Sequence, residues 1–242
     1  MPAHSSEGAP LLAGVDGCRA GWLCLSRTGD GGVVEARVFA TAAQLVDATA
    51  AAVIAWDIPI GLAAGDGRGC DALARRLLGS PRAASVFTAP IRPALGAATQ
   101  AAASAATRAV NGKGVAAQAF GIYAKVAEVD ALLRARPALC ERIVEVHPEV
   151  SFRAWNDGVA ITPGKKTRDG FAVRRALVER HFGGDAFTRV RAQWTKSRVA
   201  DDDVLDAYAA LWSAERIARG VAVSLPDPPL RDAFGLPMRI VY

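Results

Sequence analysis

Nowhere in these 242 residues do bulky apolar side chains run long enough to cross a bilayer. The nearest approach, Leu95–Val110, is alanine-rich and broken by Gln100, Ser104, Thr107 and Arg108, so it reads as a helix at a protein surface or interface. Cysteine is scarce. Cys18, Cys24, Cys70 and Cys140 are dispersed, with no Cys-x-x-Cys pair and no histidine at zinc-finger spacing. That excludes a disulfide framework and a structural zinc site, and implies reduced thiols in the cytoplasm. A basic leader is also missing: Met1–Pro10 has no basic n-region, Asp16 interrupts the apolar stretch after it, and secretion is not expected. Aromatic residues make up 7% of the chain, and its five tryptophans show no single-strand stacking pattern, so they read as core.

What is abundant is small apolar material. The chain is 51% hydrophobic and 22% charged, enough for a packed interior and unlike a disordered segment. Much of that hydrophobic fraction is alanine, so the mean hydropathy of +0.17 reflects helix formers rather than membrane-seeking residues. The length suits one α/β unit, residues 1–242, carrying one elaborated insertion. A net charge of +5 suits a polyanionic partner but shifts the odds little by itself.

Leu11–Val15, Gly21–Arg27 and Gly32–Ala40 read as three strands in an antiparallel meander, joined by Asp-Gly and Gly-Gly turns. Thr41 caps an expected helix over 42–51, and Ala52–Trp56 is an apolar strand ending at Asp57. Helices are expected over 70–78 and, as one long element, over 115–136, with an irregular alanine-rich stretch between them. Arg142–Val146 reads as a fifth strand. Downstream only helix is expected, over about 171–181, 185–195 and 201–219. Three meander strands, a crossover helix, a fourth strand, helices, a fifth strand and a terminal helix follow the order of the ribonuclease H-like fold, with 66–139 as a helical insertion.

Five carboxylates stand at telling places in this order. Asp16 ends the first strand, Asp57 the fourth and Glu145 the fifth, and strand ends at one sheet edge line the crevice where α/β proteins bind ligands. Asp203 and Asp206 are three apart and share a face of the last helix. Like charges gathered there repel by roughly 4 kcal/mol per close pair unless cations neutralise them. Hard oxygen donors without histidine or cysteine suit Mg²⁺ or Mn²⁺, and two such ions about 3.5–4 Å apart activate water and stabilise a leaving oxygen. The expected chemistry is therefore phosphodiester hydrolysis, with Asp16, Asp57, Glu145, Asp203 and Asp206 as metal ligands and catalytic residues. Against this, Asp16 before glycine can be a turn residue, and Asp201–Asp203 can be an acidic helix start.

The strings Gly14-Val-Asp-Gly-Cys-Arg-Ala-Gly-Trp22, Asp57-Ile-Pro-Ile-Gly-Leu62, Glu145-Val-His-Pro-Glu-Val-Ser-Phe152 and Asp202-Asp-Val-Leu-Asp-Ala207 resemble a known family. It is the predicted ribonuclease H-like nuclease family catalogued as domain of unknown function 429, and the resemblance runs from about Leu12 to Arg219. It implies a fold shared with ribonuclease H and the Holliday-junction resolvases. Asp16 would be the first-strand acid, Asp57 or Glu145 the second, and Asp203 with Asp206 the helix pair. A resolvase-like role would require a homodimer.

Further residues have two readings each. His147 lies on the same strand face as Glu145 and either orients a water or phosphate or is a hydrogen-bonded structural residue before proline. Glu149 either caps the next helix or lines the site. Lys165 and Lys166, with Arg168, Arg174, Arg175 and Arg180, either contact phosphates or form a solvated helix face. Lys125 and Gln118 face the substrate or the surface. The expected partner is DNA or RNA. Two rivals remain: a phosphate-binding ATPase or kinase of the actin-like superfold, for which the chain is short and lacks a second phosphate loop, and a non-catalytic interaction module.

Overall fold

A computed structural model describes residues 8–242. The leader reading for Met1–Pro10 therefore falls mostly outside the described residues. Strands β1 (Leu11–Cys18), β2 (Gly21–Thr28) and β3 (Glu35–Phe39) form the meander. Thr41 then caps α1 (Ala42–Ala48) by accepting the Gln44 amide at 3.2 Å. β4 (Val53–Trp56) lies parallel to β1, in the register Val15 to Trp56. β5 (Ile143–Glu145) lies parallel to β4, in the register Trp56 to Glu145. The result is a five-stranded mixed sheet in the order β3-β2-β1-β4-β5.

Between β4 and β5 run α2 (Gly69–Leu78), α3 (Gln100–Asn111), α4 (Ala117–Phe120) and α5 (Tyr123–Ala135). The alanine-rich stretch thus contains a regular helix, capped by Thr99, whose side chain accepts the Ala102 amide. The single helix expected over 115–136 is two, broken at Gly121 and Ile122, because its halves serve different neighbours. Phe120 packs with Ile91, Ala103 and Tyr123, while Val126, Val129 and Leu133 cover the sheet. This last group shares a core with Ala13, Val15, Ile54 and Trp56, so the α5 part of 66–139 is a structural layer of the domain.

The other sheet face is covered by α9 (Asp201–Ala218), which follows α6 (Pro148–Trp155), α7 (Arg168–Phe182) and α8 (Ala186–Arg191). Strand on one side and three helices on the other leave α9 no wet face in its middle, and Val204–Glu215 is buried throughout. Gly14 makes the approach close: a Cβ there would fall inside the backbone of Ala207 and Leu211. Helix α9 therefore rests directly on the β1 backbone.

The expectation of helix alone after β5 fails at the C-terminus, where β6 (Ser224–Arg231) and β7 (Pro237–Val241) form a separate antiparallel hairpin. Three prolines inside β6 hid it, since proline removes ladder donors and is tolerated only at such an edge. Asp232, in the hairpin turn, pins it to the domain by accepting the Leu62 amide at 3.0 Å and pairing with Arg92. No described helix is long and apolar enough to cross a membrane, and all four cysteines are free thiols.

Candidate active site

The parallel pairing of β1 with β4 sets two carboxylates side by side. Asp57 follows Trp56 and donates its amide to the Val15 carbonyl at 2.9 Å, so it stands next to Asp16 at the strand ends. Side chains alternate across a sheet. Val15 and Trp56 enter the α1–α5 core, and the residues after them, Asp16 and Asp57, point to the α9 side. Because Gly14 seats α9 on β1, Asp206 is carried over the same spot, next to the contact at Ala207.

Asp16, Asp57 and Asp206 line a cavity of about 600 Å³. Their charges are crowded: burial and then Asp57, Asp206 and Asp203 hold the Asp16 carboxyl well above the usual range. Burial and then Asp206 do the same to Asp57. Burial raises Asp206 to about 6 even though Lys165 pulls it down.

Lys165 is the cation in this cluster. It sits in the loop between α6 and α7, where Thr167 caps α7 by accepting the Gly170 amide at 3.1 Å. Gly170 lies so close to the Gly164 carbonyl that no side chain fits, which fixes the loop on the helix. From there Lys165 Nζ binds Asp206 Oδ2 and lies 3.5 Å from Asp202. Burial alone would depress its ammonium, yet Asp206 and Asp16 hold it above its ordinary value. The other oxygen of Asp206, Oδ1, is buried with no partner among the described residues.

Glu145 lines the same cavity, but it comes from the other face of the sheet and its oxygens are already engaged. It pairs with Trp56 in register, so it points to the face opposite Asp57. There both its oxygens are engaged: Arg68 grips them at 2.6 Å each, and the Ile60 amide donates to Oε2 at 2.7 Å. Arg68 also holds Asp71 at 2.5 Å, closing a buried network in the wall of the cavity. Burial raises Glu145 to about 7 while Arg68 pulls it back. Glu149 is likewise held, by Arg174 at 2.6 Å and 3.1 Å.

Asp203 does not line the cavity; its carboxylate accepts the Ala200 amide at 2.8 Å and closes the start of α9. His147 does line it, with Nε2 at 3.4 Å from the Ser85 carbonyl and Nδ1 buried without a partner, and burial lowers its pKa. Lys125 lines the rim, donating to the Gly21 carbonyl at 2.6 Å and lying over the Trp22 ring. Lys166 is at the rim and largely exposed, 3.9 Å from Asp202. Gln118 is exposed on α4 and lines neither this cavity nor its neighbour. Arg68, Asp71 and Arg82, which sequence reasoning passed over, all line the site. The one signal for Arg68 is its place in the Gly-Asp-Gly-Arg turn soon after the Asp57 string.

Among the described residues, no group of three His, Cys, Asp or Glu side chains stands close enough to hold a metal ion as placed. The donor set nevertheless fits a hard divalent cation: three crowded carboxylates on one face, one of them with a buried free oxygen at Asp206 Oδ1. A family model described as protein of unknown function (DUF429) matches residues 14–231. No curated protein and no solved structure matches the chain.

Proposed function

The chain belongs to that family, and on the site just described we propose that it is a metal-dependent phosphodiesterase of ribonuclease H-like fold, acting on DNA or RNA. The observation that carries this reading is the convergence of Asp16, Asp57 and Asp206 from two adjacent parallel strands and the crossing helix into one cavity. The sheet order, an antiparallel meander continued by two parallel strands, supports the fold assignment.

In this reading Asp16, Asp57 and Asp206 would hold Mg²⁺ or Mn²⁺. A bound divalent cation supplies charge stabilisation at phosphoryl oxygens and acidifies water. The chain's own residues do the remaining work. Arg68, by fixing Glu145 and Asp71, makes a rigid floor under the end of β4. Lys165 neutralises Asp206 while the site is free of substrate, and its ammonium is within reach of a phosphate once that carboxylate is otherwise engaged. Lys125 and Lys166 add positive charge at the rim, where a polyanion would approach.

One observation favours a second reading. Lys165 already neutralises Asp206, so the acids can persist as a structural ion-pair cluster in a non-catalytic interaction module. Calorimetry with Mg²⁺ and Mn²⁺ on wild type, Asp16→Asn and Asp206→Asn, followed by a mixed panel of labelled nucleic acids, separates the two. Binding that is lost in both variants, with cleavage by wild type alone, supports the nuclease. Absence of cation binding in wild type overturns it in favour of the module.

A further inference from the structure

A second cavity, of about 560 Å³, opens beside the first, and the two share Arg68, Asp71, Val86 and Phe87 as a common wall. Each has the volume of a small-ligand site. The shared wall carries an anomaly. Phe87 is 51% exposed, and among the described residues it pairs with no other aromatic ring. A large apolar ring left open between two cavities needs an account in a way that a scattered surface valine does not.

The second cavity is also furnished with cations. Arg75 is held in place by the Val86 carbonyl at 3.0 Å and Thr88 Oγ1 at 3.2 Å, and Lys113 has no carboxylate partner among the described residues. Asp66 is the acid that lines it outside the Arg68 network. A basic groove with an aromatic platform is the arrangement by which proteins hold single strands: the cations follow the phosphates and the ring stacks a base of any kind.

We infer that the second cavity seats the nucleotide next to the one being cleaved, with its base stacked on Phe87, and that the substrate is therefore a single strand. This rests on the nuclease reading and adds the substrate class. Geometry favours it further. Asp16 and Asp206 are 7% and 3% exposed where they line the first cavity, so a strand whose phosphate reaches them and whose next base lies on Phe87 has that base unpaired.

The test is fluorescence anisotropy in EDTA with the full chain and labelled oligothymidylate and oligouridylate octamers, each alone and annealed to its complement. Wild type should bind the single strands at least about tenfold more tightly than the duplexes. Phe87→Ala should weaken single-strand binding by about tenfold, Phe87→Trp should restore it, and Lys113→Glu should weaken it and flatten its salt dependence. Unchanged affinity in Phe87→Ala, or equal affinity for duplex, overturns the inference. If wild type also cleaves a duplex in Mg²⁺, the nuclease reading survives that failure. If wild type neither binds nor cleaves any strand, both fall.

Discussion

Lys165 Nζ and Asp206 Oδ2 are joined in an ion pair that leaves the second oxygen of Asp206 buried and without a partner among the described residues. The pair links the loop before α7 to the helix lying across β1, so one lysine both neutralises the acids and ties down the segment that walls them. Removing one member of a buried pair costs about 3–5 kcal/mol, but Lys165 is a third exposed, and solvent screening reduces that. Lys165→Met should lose about 1–3 kcal/mol without divalent cation and should then gain more in melting temperature on adding Mg²⁺ than wild type does. Scanning calorimetry reads both, and an equal gain would show that the ammonium and the metal do not compete.

Glu145 gives a pH signature. Its folded pKa, about 7, lies above its ordinary value of 4.5, so between these values the folded protein holds a proton that the unfolded chain has released. Stability therefore falls as pH rises through that window. Denaturant unfolding of wild type against Glu145→Gln, without divalent cations, should show wild type losing ground between pH 4.5 and 7 and parallel curves above. Cation affinity should survive the substitution, because Glu145 is bound by Arg68 on the opposite face.

Gly14 predicts a coupling of packing to chemistry. Gly14→Ala inserts a methyl group into the backbone of α9, and relief requires moving the helix away from β1. The expected loss is about 1–3 kcal/mol or more. A variant that still folds should bind Mg²⁺ more weakly, since Asp206 moves relative to Asp16. Undiminished affinity in a destabilised protein would show that the strand and the helix do not jointly form the site.

Arg68 serves two carboxylates at once, and its replacement by methionine leaves Glu145 and Asp71 buried without a cation. Arg68→Met should cost about 3–5 kcal/mol, while Arg68→Met with Glu145→Leu and Asp71→Leu should recover much of it, because apolar residues of similar volume often replace a buried charge network without loss. Urea denaturation of the two proteins decides this.

The sheet was legible because the turn after β2 is rich in glycine, Thr41 after β3 caps the next helix, and β4 ends at Asp57 before Pro59. The convergence of Asp16, Asp57 and Asp206 followed from strand ends and helix spacing. The capture of Glu145 by Arg68 did not, because the pairing of β5 with β4 decides which face Glu145 takes, and that register is not written in the local pattern. The hydrogen bond that Asp203 makes at the helix start was hidden for a related reason: an acid three residues into a helix serves that start as readily as a site. The break at Gly121 and the hairpin β6–β7 were hidden because tertiary neighbours, not propensity, decide them.

The acids are borne by β1, the end of β4 and α9, whereas the second cavity is walled by the stretch from Asp66 to Ala119 and by Tyr123. That stretch leaves the sheet after β4 and returns through α5 to β5, the strand hydrogen-bonded to β4. Lengthening such an excursion adds little entropic cost, growing only with the logarithm of its length. The molecule is thus divided between a fixed chemical floor and an exchangeable wall. Grafting a different sequence between α2 and α4 would reshape that wall without touching the strands and the helix that bear Asp16, Asp57 and Asp206, provided that Arg92 is kept to hold Asp130 and Asp232.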